Sequence, residues 1–286
     1  MVRGRRGTGL FVAVPTLALI GSWPLTPPWL THTRSRTFAV AQVVGRARDE
    51  SSLDRLQRAA EAGDPDAQHD LGLTYVDGIG VAPDAAEGAR WLRQAAEQGH
   101  ARAQNVLAVL HQNGVGVPKD PAAAVAWWRK AADQGLADAQ NNLGVAYDNG
   151  VGGEIDLAQA FTWFMNAAKQ GHAAAQNNVG FMYELGRGVS LDYRLAMSWY
   201  RKSAEQGWPS AQASVGLMYA GALGVPRDPI EADMWFQVAT LNASDADLSR
   251  YDALRETIER TMNITDIAEA RSRARAWRRE AERSRR

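Results

Sequence analysis

Apolar and small residues return along this chain in two alternating patterns. In the first they stand four, eight, nine and twelve residues after a glycine, as in Ala67, Leu71, Gly72 and Tyr75 after Gly63, which is one face of a helix. In the second they gather around a tryptophan and an Ala-Ala pair, as in Trp91 with Ala95–Ala96, Trp127 with Ala131–Ala132 and Trp163 with Ala167–Ala168. Together the two patterns predict a pair of helices. The pair recurs with a period of 36 residues, marked by Gly63, Gly99, Gly135, Gly171 and Gly207. A fixed period of some tens of residues is the signature of a repeat array.

With each glycine at offset zero, several landmarks keep step with it. Offset four is Ala67, Ala103, Ala139, Ala175 and Ala211; offset five is Gln68, Gln104, Gln140, Gln176 and Gln212. Offset twenty-one is Asp84, Asp120, Asp156, Asp192 and Asp228, and offset twenty-eight is Trp91, Trp127, Trp163, Trp199 and Trp235. The first helix of each unit is expected from about offset two to offset thirteen. Gly72, Gly144, Gly180 and Gly216 at offset nine lack a side chain where a partner helix would approach. A Gly-x-Gly loop follows, as at Gly78 and Gly80. The recurring aspartate then reads as N-cap of the second helix, with Pro121 and Pro229 in the first helical position after two of them. Glu87 and Glu231 stand where a capping box would place them. The next period glycine closes the second helix as its C-cap.

One such pair cannot bury its own apolar face, but stacked pairs can. The predicted fold is an all-α, right-handed α-solenoid of five 36-residue helix-turn-helix repeats with a C-terminal helical cap. The tryptophan beside small residues is expected to supply large-into-small packing in the core.

Residues 67–83 read AQHDLGLTYVDGIGVAP and residues 139–152 read AQNNLGVAYDNGVG. This pattern resembles the Sel-one-like repeat (SLR) family, a relative of the tetratricopeptide repeat. The family's signature runs AQ-x-x-LG-x-x-Y-x-x-G-x-GV, followed by D…A-x-x-W…AA-x-x-G. The resemblance covers residues 53–242 and departs at Ala108, His111, Gly153 and Ala222. It implies a protein-interaction role, since relatives serve as adaptors in signalling and in assembling membrane or envelope complexes. Some relatives are penicillin-binding or β-lactamase-like, but those carry a cysteine pair in each repeat.

The ends fall outside the period. Residues 1–41 read as a signal peptide or membrane-targeting segment: Arg3, Arg5 and Arg6 precede an apolar stretch from Leu10 to Ile20, and Ala39-Val40-Ala41 offers a cleavage site. Pro24, Pro27 and Pro28 separate that stretch from the site, so an uncleaved anchor or an earlier cleavage stays open. Residues 42–62 are expected to form a linker and an N-terminal capping helix, 63–242 the five repeats and 243–280 two C-terminal capping helices. Residues 281–286 form a basic tail. Eight arginines in the last 16 residues suit either an anionic partner or a solvated helix end.

Composition then narrows the chemistry. The formal net charge of zero conceals 12 basic and 19 acidic residues in 63–242, a balance that argues against nucleic-acid binding. With no cysteine, zinc-thiolate sites and thiol nucleophiles are excluded. The five histidines are scattered, and His111 in a tyrosine slot reads as a satisfied core histidine. No nucleophile elbow, metal helix or P-loop motif occurs, and no metal or cofactor is expected.

These readings leave a non-enzymatic scaffold, exported to the periplasm or secreted, binding a protein or peptide on the concave face that first helices usually line. Cytoplasmic or inner-membrane-anchored placement is the alternative, with membrane contact only through the N-terminal segment. A cell-wall-directed hydrolase and a secreted host-interaction factor are alternative functions. The candidate binding residues are Asn105, Asn141, Asn142, Asn177 and Asn178, because a run of amides can hydrogen-bond an extended backbone, and Phe181 from the row at offset ten, which is apolar throughout (Leu73, Val109, Val145, Phe181, Leu217). The recurring glutamine is expected to be structural, bonding backbone in its own or the next unit.

Overall fold

The computed structural model describes residues 50–241 and 243–284. The expected targeting segment, most of the linker, Asn242 and the last two arginines lie outside the described residues. The described residues fall into two units, one ending at Gln206 and the other beginning at Gly207.

The first unit begins with α1 (Glu50–Glu61) and continues as four helix pairs. These are α2 (Pro65–Asp77) with α3 (Ala85–Glu97), and α4 (Ala101–Asn113) with α5 (Pro121–Asp133). Then come α6 (Ala137–Asn149) with α7 (Leu157–Lys169), and α8 (Ala173–Leu185) with α9 (Tyr193–Glu205). The second unit holds the fifth pair, α10 (Pro209–Gly221) and α11 (Pro229–Thr240), followed by α12 (Asp245–Glu259) and α13 (Ile264–Ser284). No strand occurs among the described residues. This is the all-α solenoid that the 36-residue period predicts.

Local chemistry sets the helix ends. The Asp84, Asp120, Asp156 and Asp192 carboxylates each accept from a free N–H of the second helix they precede. Their own N–H groups donate back to the end of the first helix: Asp84 to Tyr75 at 2.9 Å, Asp120 to His111 at 2.8 Å and Asp156 to Tyr147 at 3.0 Å. Glu87 does not make the expected capping-box bond; its carboxylate binds Arg90 instead, three residues on, where the longer side chain reaches it. The second loop glycine also has a packing duty. A side chain at Gly116 would collide with the Ala85 carbonyl, and one at Gly152 would come within 2.7 Å of the Pro121 carbonyl. Each such loop rests on the start of the preceding repeat's second helix.

The core bears out the sequence reading of the tryptophan at the buried Trp91 and Trp235 and corrects it at the partly buried Trp127, Trp163 and Trp199. The residue that fills the space left by each offset-nine glycine is the one after the tryptophan. A methyl at Gly144 would lie 2.6 Å from Phe164, one at Gly180 2.7 Å from Tyr200, and one at Gly72 2.6 Å from Leu92. Leu92, Phe164 and Tyr200 are fully buried. Trp127, Trp163 and Trp199 are partly buried and pack against clusters that include the preceding second helix. One helical step rotates a side chain by about 100°. The tryptophan therefore meets the neighbouring repeat, while its successor points at the first helix of its own repeat. At the N-terminal end α1 takes the place of a preceding second helix, and Trp91 packs with Ala60, Leu53 and Leu56 there.

In the second unit Asp228 caps α11 and Phe236 fills the space at Gly216. Ser244 caps α12, and Asn263 accepts from the N–H groups of Thr265 and Asp266 at the start of α13. That last helix runs to Ser284, beyond the expected end at 280, because its arginine- and glutamate-rich sequence contains no breaker. Trp277 meets Trp235 edge-on at 5.9 Å between ring centres. Ala222 occupies the C-cap of α10 with φ of 56°, a left-handed conformation that glycine takes at the corresponding place in the other repeats.

Two stability outcomes follow. Phe164→Ala is expected to cost about 3–5 kcal/mol by opening a cavity, and Trp163→Ala distinctly less, as measured by denaturant midpoints. A larger loss for Trp163→Ala would contradict this assignment of the core. Ala222→Gly is expected to stabilise by about 0.5–1 kcal/mol, since relief of the left-handed strain outweighs the added chain entropy; calorimetry showing a lower melting temperature would refute it.

Candidate functional site

The asparagines do not form the open hydrogen-bonding surface expected from sequence. Asn142 of α6 donates to Asn105 of α4 at 3.0 Å, and Asn178 of α8 donates to Asn141 of α6 at 3.0 Å. Asn105, Asn177 and Asn178 are buried, and Asn141 and Asn142 half-buried. Offset six of one repeat thus meets offset seven of the next, and four of the amides hold adjacent first helices together, while the buried Asn177 Oδ1 meets no partner among the described residues. Phe181 is half-buried, with the Arg187 guanidinium 6.0 Å from its ring centre.

The glutamines make a longer chain of bonds. Gln68 donates to the Ala60 carbonyl, Gln104 to Ala96, Gln140 to Ala132 and Gln176 to Ala168, at 3.0 to 3.2 Å. Each acceptor lies in the last turn of the preceding second helix. The same glutamines accept from Gln98, Gln134, Gln170 and Gln206, all at 2.7 Å. These second glutamines stand immediately before a period glycine, a recurrence visible in the sequence and missed there.

Two histidines are N-caps. His100 accepts from the Ala103 N–H on Nδ1 and lies 2.9 Å from Asp66 through Nε2. His172 repeats this with Ala175 and Asp138. With Nδ1 facing a backbone N–H as acceptor, Nε2 is the ring nitrogen left to donate to the carboxylate. The hydrogen bond from His172 holds the Asp138 carboxyl below the ordinary aspartate range. His111 is half-buried in its tyrosine slot, but its Nδ1 is buried and meets no partner among the described residues, so it is not the satisfied core histidine expected. Among the described residues no group of three or more His, Asp or Glu could hold a metal ion.

With offsets four, five, eight and nine buried against the second helices and offsets six and seven used between repeats, the free face of each first helix lies at offsets three, ten and fourteen. At offset ten of the first unit Leu73, Val145 and Phe181 are half-buried, while Val109 is buried in the core. Around these positions stand the exposed Asp66, Asp77, Arg102, Asp138 and Asn149, and the half-buried Leu185. This face, rather than the asparagine row, is the surface available to a ligand.

The second unit contains an unexpected buried acid. Asp233 on α11 is fully buried; Gln237 donates to its Oδ2 at 2.8 Å, while its Oδ1 meets no partner among the described residues. Arg255 and Glu259 of α12 and Arg271 of α13 surround it electrostatically, and Arg271 binds Glu259 at 3.3 Å. Burial pushes its carboxyl up to about 6, against the smaller opposing effect of the Gln237 bond. A signal was present in the sequence: the same offset holds Ala89, Val125, Phe161 and Met197 in the other repeats.

The five repeats coincide with five matches to the family model of the Sel1 repeat, at residues 65–100, 101–136, 137–172, 173–208 and 209–243. Among solved structures, the chain is similar to a protective antigen present in uropathogenic Escherichia coli strains, one displaying an SLR fold. The identity is 35% and the TM-score 0.73, over 78% of this chain and 47% of that one. This chain therefore spans about half the length of that protein. A Sel1 repeat protein from Oxalobacter formigenes is 28% identical with a TM-score of 0.69, over 86% of this chain and 99% of that one. No curated protein matches the chain significantly.

The raised Asp233 carboxyl has a definite sign. In the unfolded chain it ionises near the ordinary value of about 3.9, while in the folded chain it stays protonated to about 6. Its contribution to stability therefore falls as pH rises through that window and levels off above it. Asp233→Asn is expected to flatten this part of the profile and to stabilise the chain at pH 7 by up to about 3 kcal/mol. Thermal melts of both proteins between pH 4.5 and 7 that keep a constant separation would exclude it.

Proposed function

We propose that this chain, which belongs to the Sel1 repeat family, is a non-enzymatic scaffold of the bacterial cell envelope that binds a protein or peptide partner on the free face of its first helices. Sel1 repeats are generally protein-interaction modules. The observation that carries the reading is the set of exposed residues at offsets three and fourteen of the first helices, Asp66, Asp77, Arg102, Asp138 and Asn149. These side chains drift between repeats, whereas those that hold the fold recur. No helix among the described residues is long and apolar enough to cross a membrane. The basic and then apolar order of the first 20 residues, with the Ala-Val-Ala site after it, supports export.

A second reading, a secreted host-interaction factor, is favoured by the likeness to a protective antigen. It shares the binding face and differs in where the partner resides. A wall-directed hydrolase lacks a comparable supporting arrangement, and stoichiometric acylation by a β-lactam probe would overturn the non-enzymatic reading.

The expected outcome of Asn149→Arg combined with Leu185→Arg is loss of the partners recovered by cross-linking and mass spectrometry from envelope fractions, with an unchanged circular dichroism spectrum. Asn149→Arg alone, at an exposed site, should give a partial loss. Recovery identical to that of the unaltered chain would rule out this face.

A further inference from the structure

Offset twenty-six of a second helix faces the next repeat. Ala89 lies in a cluster with Ala103, Leu107 and Leu110, and Val125 packs against one that holds Ala139, Leu143 and Ala146. The Phe161 ring meets the Tyr183 ring edge-on at 5.4 Å. The fifth repeat has α12 and α13 packed on α11 in place of a sixth repeat, and there offset twenty-six is the fully buried Asp233. Every element around this acid is accounted for. On α11 itself Gln237 donates to Oδ2, and Glu231 reaches away to Arg273 of α13 at 2.7 Å. From α10 no charged residue is offered, and its titratable group is Tyr219. Arg255 and Glu259 of α12 and Arg271 of α13 face Asp233. Both arginines are engaged by other acids: Arg255 stands 3.2 Å from Asp252 and 3.8 Å from Glu259, and Arg271 stands 3.3 Å from Glu259. Among the described residues Asp233 therefore has one hydrogen bond and no direct ion pair.

We propose that α12 and α13 form a pH-released cover over the last repeat: they dock on a protonated Asp233, and its ionisation loosens them. An ionised carboxylate held among apolar side chains without a partner is costly, and lifting of the pair lets water reach it. The carboxyl ionises near 3.9 when solvated and stays protonated to about 6 when covered. Docking is therefore strongest below that window, weakens as pH rises through it and levels off above. The surface uncovered is apolar: Leu217 and Phe236 cluster with Ile258, Leu254 and Met262, Ala213 and Ala239 with Tyr251, and Trp235 meets Trp277. At Ala89, Val125 and Phe161 the same position holds no ionisable group, so the response belongs to the cover and not to the stack. Which partner the free face binds does not enter this mechanism.

The test is hydrogen exchange read by mass spectrometry on the full chain at pH 5 and pH 7.5, with rates corrected for the intrinsic pH dependence of amide exchange. Opening of α12 and α13 is expected to be about tenfold more favourable at pH 7.5, while α5 and α7 of the first unit change distinctly less. Helices α8 and α9 are a poor reference, because burial also raises the Glu184 carboxyl there. Asp233→Asn, neutral and of the same size, should abolish the difference at α12 and α13. Asp233→Met, which copies Met197 of the fourth repeat, should keep them closed at both pH values. A difference of equal size at α5 and α7, none at α12 and α13, or one that persists in Asp233→Asn would overturn the proposal. So would opening of Asp233→Met equal to that of the unaltered chain at pH 7.5.

Discussion

The first unit depends on one polar contact made four times: a glutamine amide reaching into the last turn of the preceding helix pair. A helix leaves its final carbonyls without intrahelical partners, and a buried one left unpaired costs about 1–3 kcal/mol. At Ala60, Ala96, Ala132 and Ala168 the period glycine's N–H already meets the carbonyl; Gln68, Gln104, Gln140 and Gln176 add a second bond to it and are themselves gripped by Gln98, Gln134, Gln170 and Gln206. Each glutamine thus joins three helices: the preceding second helix and both helices of its own repeat. Apolar packing is tolerant of small slides, but a buried amide with a fixed donor and acceptor is not. The glutamine pairs therefore set the register between repeats that the offset-nine glycines and their aromatic partners then fill.

Much of this was legible in the sequence, and the rest was hidden for identifiable reasons. Asp84, Asp120, Asp156 and Asp192 were readable as caps because an N-cap is a local device, decided within three residues. Trp91 and Trp235 are buried as expected, but Trp127, Trp163 and Trp199 are only partly so, because two large residues stand side by side and periodicity alone does not say which of them turns toward its own repeat. The invariant one proved to serve the contact between repeats. Phe164 and Tyr200, whose identities vary, lie at the centre of their pairs. The asparagines recurred visibly, but their pairing joins offset six to offset seven of the next unit, and only the stacking of helices brings those positions together.

Asp233 shows the opposite case, in which breaking the pattern was the informative event. An acid stands where other repeats place an apolar residue, and the terminal pair α12 and α13 supplies Arg255, Glu259 and Arg271 around it. Arg273 adds exposed bonds to Glu231 and Glu269. The end of this chain is therefore not closed by apolar packing alone. A buried carboxylate surrounded by charges restricts which helix can pack there, because a displaced or misregistered helix would leave it without those compensating partners.

The division of labour between recurring and drifting positions bears on the meaning of the face at offsets three, ten and fourteen. Glutamine, aspartate, glycine and the core aromatics carry the stability of the stack, and it is close to a sum of repeated neighbour contacts. Offsets three, ten and fourteen lie opposite that core, so a change at Asp77 or Leu185 leaves the glutamine and asparagine bonds intact. Asp66 meets the His100 cap of the next first helix and Asp70 meets His69, so part of this face also serves the fold. A solvated surface free of ligand constraints would tolerate charged residues at any of these places, and an exposed apolar position carries an aggregation hazard. The apolar residues kept at offset ten answer partly to folding, since Val109 and Leu217 are buried in the core, and the charged residues that differ from repeat to repeat at offset three, Asp66, Arg102 and Asp138, are the exposed ones left for a partner.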